Sequence, residues 1–281
     1  MPADRIAYQH TVLCQTCLPY RDPGEARIWE RRQGAVFLAL EAGRVWHPRM
    51  QKMIDVGLPY GSRPRLILAH LNREALLHDS PRIEVESSLT AFVKRVLKHH
   101  SPNTREIGRF KDQLTRLSAA LIRMAVSLPN DRGYQADTKI IDFMELWGGK
   151  DGRQRALWPA VVELSPRYFD TLRKHAVPLD ERAIGALANS PMALDVYAWL
   201  AQRLCRIRPK RKQFVSWAAL QDQFGIGYGR VRDFKKHFRA VLTAVHGQYH
   251  GAKFNLNDRG MTLMYSLPPV HGHHLDLIKD D

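Results

Sequence analysis

Two cationic helical segments, each holding a Phe-Lys pair, carry the chemistry this sequence can offer. The first contains Phe110-Lys111-Asp-Gln-Leu114 and the second Phe234-Lys235-Lys-His-Phe238. In the second, Val231, Phe234, Phe238, Val241, Leu242 and Val245 recur every three or four residues and form one apolar stripe. Arg232, Lys235, Lys236 and Arg239 are left facing outward, with Arg230 just ahead of them. In the first, Ile107, Phe110, Leu114, Leu117 and Leu121 make the stripe. Arg105, Arg109 and Arg116 fall largely opposite, and Lys111 joins them through the Phe-Lys pair. Guanidinium groups so displayed can bridge guanine O6 and N7 in the major groove, a contact contributing about 1–3 kcal/mol of discrimination. The cations outside the helices suit phosphates, which position a protein without specifying sequence. These are Arg208, Lys210, Arg211 and Lys212 in the loop before the second helix pair, and Lys253 and Arg259 after it.

Such faces work only if other elements hold them. Before the first cationic helix, Ser88 can cap a helix whose Leu89, Phe92, Val93, Val96 and Leu97 lie on one stripe. Pro102 ends it, and Asn103 with Glu106 has the spacing of a capping pair for the next. Around Pro129–Gly133, the tail of that helix and the run Lys139–Leu146 can supply a hairpin. The second copy is clearer. A strand at Gln213–Ser216 leads into a helix with Trp217 and Leu220, then the cationic helix. Lys253–Leu256 and Met261–Met264 alternate about the turn Asn257-Asp-Arg-Gly260, a hairpin signal. Strand, short helix, basic helix and hairpin occur twice in that order, which is the layout of a winged helix-turn-helix DNA reader. One such helix alone would read as a solvated face.

The expected fold is α+β: two tandem winged-helix domains, mainly helical, with small β-hairpin wings. Residues 1–35 read as an irregular segment, 36–147 as the first domain, 148–152 as a glycine-rich linker, 153–267 as the second domain, and 268–281 as a flexible tail. Further signals are a helix starting near Ser62, a strand Trp158–Leu164, a helix capped by Ser165, and a helix opened by Ser190-Pro191.

Composition narrows the function. The net charge is +15 over 281 residues, and the stretch from Arg203 to Arg239 holds 11 Lys or Arg against Asp222 and Asp233, supplying +9 of it. The charge favours a polyanionic partner; a membrane surface or a ribosome would also suit it, and the twice-repeated helix layout points to double-stranded DNA. No run approaches the ~20 apolar residues of a membrane span, and no apolar signal core follows Met1, so the expectation is a cytoplasmic protein without membrane contact. Cys14 and Cys17 form a lone Cys-x-x-Cys near His10; without a second pair they read as buried free thiols, and no metal or cofactor is expected. There is no phosphate loop and no acidic cluster of a nuclease. His99-His100 and His271-Gly-His273 lack the His-apolar-His pattern of a nicking enzyme. The chain is therefore read as non-enzymatic, with a transcriptional repressor as the nearest alternative and a DNA-nicking enzyme as the more distant one.

Several long words carry a resemblance: Leu58-Pro-Tyr-Gly-Ser-Arg-Pro-Arg-Leu66, Ser88-Leu-Thr-Ala-Phe92, Val177-Pro-Leu-Asp-Glu-Arg182, Ala193-Leu-Asp-Val-Tyr-Ala-Trp-Leu-Ala-Gln-Arg203 and Asp258-Arg-Gly-Met-Thr-Leu263. From about Cys14 to Pro269 the sequence resembles the RepA family of plasmid-encoded replication initiators. The resemblance implies binding to repeats at a plasmid origin, help in opening the duplex, and recruitment of host helicase and polymerase machinery. It also implies dimers that bind an operator and repress their own gene. It carries no base-contacting residues over, so the contacts named above rest on helix faces alone.

Overall fold

A computed structural model describes residues 5–47, 50–84, 93–94, 97, 102–127, 132–147 and 158–270. The chain is α+β, with eight helices and five small antiparallel sheets among the described residues. The expected Ser88–Leu97 helix and the 148–152 linker lie outside them, apart from Val93, Lys94 and Leu97, which are helical, and so does the tail beyond 270.

The core is organised by one helix, α6 (Pro191–Leu204). It opens as expected, with Ser190 Oγ accepting from the Ala193 amide at 3.2 Å and Pro191 in the first turn. Met192 to Gln202 is buried without a break, so α6 is apolar on every side rather than on one stripe. Around it pack α1 (Thr11–Gln15), α2 (Ser62–Leu77), α5 (Glu181–Leu187), α8 (Val231–His246) and strand β11 (Ala176–Asp180).

The first 35 residues, expected to be irregular, include strand β1 (Ile6–His10), helix α1 and strand β2 (Ile28–Gln33). Their partners are distant: β1 pairs with β11, Ile6 opposite Asp180. β2 pairs with β3 (Val36–Glu41), which pairs with β7 (Leu121–Ser127), which pairs with β8 (Gly133–Lys139). The strands on either side of residues 128–131 do pair with each other, but both differ from the expected ones. Ala120 is extended, so Leu121 opens β7 instead of closing the helical stripe of α3 (Thr104–Ala119). The run expected to return as a wing strand forms β9 (Ile141–Trp147), which pairs with β10 (Trp158–Leu164). Val36-Phe-Leu-Ala-Leu40 is apolar on both faces, and with two neighbours it builds a four-stranded sheet in place of a small hairpin. β10 also pairs with β6 (Arg82–Glu84), so strands from both halves of the chain share one sheet.

The remaining pieces are the hairpin of β4 (Arg44–His47) and β5 (Lys52–Asp55), helix α4 (Pro166–His175), and a compact unit near the C-terminus. In that unit β12 (Lys212–Ser216) leads to α7 (Trp217–Phe224) and α8. The hairpin of β13 (Phe254–Leu256) and β14 (Gly260–Met264) follows, in sheet order β12-β14-β13. Strand, helix, turn, helix and hairpin follow the order read from the sequence.

Candidate nucleic-acid interface

The C-terminal unit builds its surface on an aromatic core. Ser216 caps α7, its Oγ accepting from the Ala219 amide at 3.2 Å. Gly227, at φ +85°, allows the tight turn into α8. The stripe foreseen for α8 is buried at Phe234, Phe238, Val241, Leu242 and Val245, whereas Val231 in its first turn is exposed. Phe234 and Phe238 pack edge-on against Trp217, with centroids 6.4 and 6.1 Å apart, and Phe238 meets Phe224 at 5.6 Å.

Trp217 organises the surface above this core. Its indole N–H donates to the Asn257 carbonyl at 2.9 Å, and its backbone N–H to the Arg259 carbonyl at 3.1 Å. The start of α7 is thereby tied to the β13–β14 turn. On the same ring lie Lys235, 5.2 Å from the centroid, and Arg239, 5.5 Å away. Lys235 Nζ also donates to the Asp258 carbonyl at 3.3 Å. One tryptophan thus joins the cationic helix to the hairpin, a role its apolar neighbours in the sequence did not reveal.

Arg230, Arg232, Lys236 and Arg239 are exposed, with Arg232 loosely beside Asp233 at 3.8 Å. Arg208, Lys210, Arg211 and Lys212 are exposed in the loop and the start of β12, as are Lys253 and Arg259 around the hairpin. The hairpin turn is held by Asn257 Oδ1, which accepts from the Arg259 and Gly260 amides at 2.9 and 3.0 Å. Gly260 has no room for a side chain: a Cβ there would stand 2.2 Å from the Val215 carbonyl oxygen.

The first cationic helix, α3, begins with the expected capping box. Asn103 Oδ1 accepts from the Glu106 amide at 2.9 Å, and Glu106 Oε2 accepts from the Asn103 amide at 3.3 Å. Arg105 and Arg109 are exposed on it, and Lys111 is half-buried. Arg116 points elsewhere. It lies over the Tyr60 ring at 5.2 Å, donates to the Leu58 carbonyl, and pairs with Asp112 at 3.0 Å and Asp22 at 3.9 Å. Arg63 of α2, not singled out in the sequence, stands over Phe110 at 5.7 Å. Partial burial lowers its pKa, and the positive charge of Arg109 lowers it further. The Glu106 carboxylate partly offsets both.

The cysteine pair near His10 lies in the core. Cys14 and Cys17 are buried free thiols whose pKa values burial pushes up, which disfavours the thiolate that metal binding needs. His10 is buried, with its Nδ1 accepting from the Val12 amide at 3.2 Å as the cap of α1. No cluster of three or more potential metal ligands occurs among the described residues. No helix among them is long and apolar enough to cross a membrane.

In overall arrangement this is the fold of domains 2 and 3 of RctB. One crystal structure of that pair matches with a TM-score of 0.54 and 8% identity, covering 90% of this chain and 96% of that one. Another matches with a TM-score of 0.51 and 10% identity, covering 90% and 94%. The family model for plasmid-encoded RepA protein matches residues 58–219, more than half of the sequence. The chain belongs to that family. Among curated proteins no match is found.

Proposed function

We propose that this protein is a sequence-specific, double-stranded DNA-binding initiator of plasmid replication. It would bind repeats at an origin, help open a neighbouring segment and bring in host helicase or polymerase machinery. The observation that carries the reading is the surface built over Trp217. There α8 offers Arg232, Lys236 and Arg239 to solvent while the indole holds the β13–β14 hairpin beside them. We read residues 208–264 as a winged helix, with α8 in the major groove and the loop and hairpin cations on phosphates.

In the same reading α3, with Arg105, Arg109 and Lys111, serves a second head, the two heads being 36–147 and 153–267. Two heads can cover adjacent major grooves about 34 Å apart, one helical turn. The strands of β6, β9 and β10 that both halves share support a fixed spacing between them. Membership of the RepA family supports the assignment to replication, and a homodimer on an operator would use the same faces. The protein would supply binding energy and no covalent step.

Nuclease protection on the plasmid origin tests this. Discrete protected repeats, together with an origin plasmid that fails to replicate without the protein, are expected. Protection no stronger than on random DNA removes the specific reader. An origin that replicates equally well without the protein leaves only a repressor.

A further inference from the structure

Helix α7 is held at both ends. Trp217 ties its start to the β13–β14 turn, and the N-terminal segment grips its last residues. The final carbonyls of a helix have no partner within it and carry the negative end of its dipole. Arg31 of β2 answers both needs. Its Nη2 donates to the Asp222 carbonyl and lies 3.5 Å from the Gln223 carbonyl oxygen. Cys17 Sγ also donates to the Gln223 carbonyl, at 3.4 Å. The Gln223 side chain, 2% exposed, donates to the Gln15 carbonyl at 2.9 Å.

Arg31 occupies a position where an apolar residue would be expected. Its register opposite Leu38, with Trp29 opposite Leu40, puts all four on one face of the sheet, and both leucines are fully buried. Trp29 is fixed there by its indole N–H, which donates to the Cys17 carbonyl at 2.8 Å. A half-buried guanidinium on that face is costly unless it has a target, and the end of α7 is the target.

A continuous path of contacts leads from one cationic helix to the other through this clasp. α3 runs into β7 at Ala120, β7 pairs with β3, and β3 pairs with β2. Arg116 of α3 also reaches Asp22, on the segment between Cys17 and Trp29, at 3.9 Å. Beyond Arg31, α7 supports α8 through Phe224 and Phe238. The sheet of β6, β10 and β9 joins the halves through strands. The Arg31 contact joins them at the helix on which α8 packs.

We infer that Arg31 is a positioning residue for DNA recognition: its hold on the end of α7 sets how the α8 face stands relative to the α3 face. The inference rests on the proposal of two heads on one duplex, and it adds the residue that fixes their spacing.

The test uses the full chain and two fluorescent duplexes read by anisotropy. One carries the origin repeat intact, the other has about 5 base pairs, half a helical turn, inserted between its halves. Wild-type affinity should fall roughly 100-fold on the lengthened duplex, because only one head then engages. Arg31→Met keeps bulk without a donor, and its ratio between the two duplexes should shrink to roughly 10-fold. Arg31→Lys, with a donor for the same carbonyls, should restore most of the difference. A second readout needs no DNA. Spin labels at Gly108→Cys on α3 and Ala240→Cys on α8, both exposed positions, are placed in a Cys205→Ser background. Arg31→Met should widen the distance distribution between them, and Arg31→Lys should narrow it again. A variant that is only less stable would melt earlier yet keep both the ratio and the distribution. A wild-type distribution in Arg31→Met overturns the inference, and so does a widened one with an unchanged ratio. A widened distribution in a protein that binds no repeat, or binds both duplexes equally, keeps Arg31 as the clasp while removing the two-headed reader.

Discussion

Arg65 and Asp195 meet in a buried two-pronged ion pair, Nε to Oδ1 and Nη2 to Oδ2, both at 2.7 Å. The pair joins α2 to α6. Arg65 also donates to the carbonyls of Gly61 at 2.6 Å and Leu18 at 2.8 Å, and its guanidinium lies over Tyr20. One side chain therefore ties the N-terminal segment, α2 and the central helix together. Removing one partner strands a buried charge, so Arg65→Ala or Asp195→Ala should each cost about 3–5 kcal/mol in denaturant unfolding. The double change Arg65→Met with Asp195→Leu should cost distinctly less than the two singles combined.

Trp217→Phe should loosen the β13–β14 hairpin from the start of α7. The ring packing is kept, while the 2.9 Å hydrogen bond to Asn257 is lost. A loss of about 0.5–1.5 kcal/mol in stability is expected, measured by thermal melting. Affinity for the origin duplex should fall several-fold, because the turn carrying Arg259 loses the indole bond and keeps only its backbone tie to residue 217 and the Lys235 contact. Unchanged affinity would detach the hairpin from the interface.

Gly260→Ala should be more damaging than its size suggests. The added carbon collides with the backbone of β12 at Val215 and Ser216 as well as with the Phe214 ring, and the backbone cannot swing aside. A loss of about 1–3 kcal/mol is expected, with raised hydrogen exchange confined to β12–β14.

Two kinds of cation should behave differently on DNA. Arg232→Ala or Arg239→Ala should weaken binding to the cognate repeats by about 1–3 kcal/mol and relax base preference. Arg211→Ala or Lys212→Ala should weaken binding to all sequences alike and lower the slope of log K against log salt by about one. Competition assays at several salt concentrations check both, and equal losses on random DNA for all four variants would undo the distinction.

His10 should make stability depend on pH. Burial pushes its pKa down to about 3 from the ordinary 6.5, and nearby His175, itself lowered by burial, adds to the shift. The unfolded chain then binds the proton more readily than the folded one, so stability is full above pH ~6.5 and drains away as pH falls toward 3. Tyr168 is the other ring packed against His10, at 5.7 Å. His10→Asn keeps a capping acceptor for the Val12 amide without the titration. Its unfolding free energy should be flatter over that window than that of the wild type.

Local signals were legible in the sequence, and distant pairings were not. The capping residues Asn103, Ser165 and Ser190 mark helix starts that the structure contains, because a cap is settled within three residues. The stripe of α8 and the β13–β14 hairpin were readable for the same reason. β1 and α1 were not, because β1 has meaning only beside β11 and α1 only against α6. The Asp112 partner of Arg116 stands four residues away and could be read from the helix, whereas Asp22 and Tyr60 reach Arg116 only through the fold. Trp46, among apolar neighbours in the sequence, reads as core, yet the β4–β5 hairpin leaves it exposed, because burial depends on what packs over a strand and not on its neighbours along the chain.

The pairing of Ile6–His10 with Ala176–Asp180 sets an order on synthesis. A ribosome must pass Asp180 before Ile6–His10 can complete this pairing, so that edge stays open to wrong partners until then. Prematurely terminated products should consequently be cleared or aggregate, and a half-made copy could not compete with finished molecules for their target.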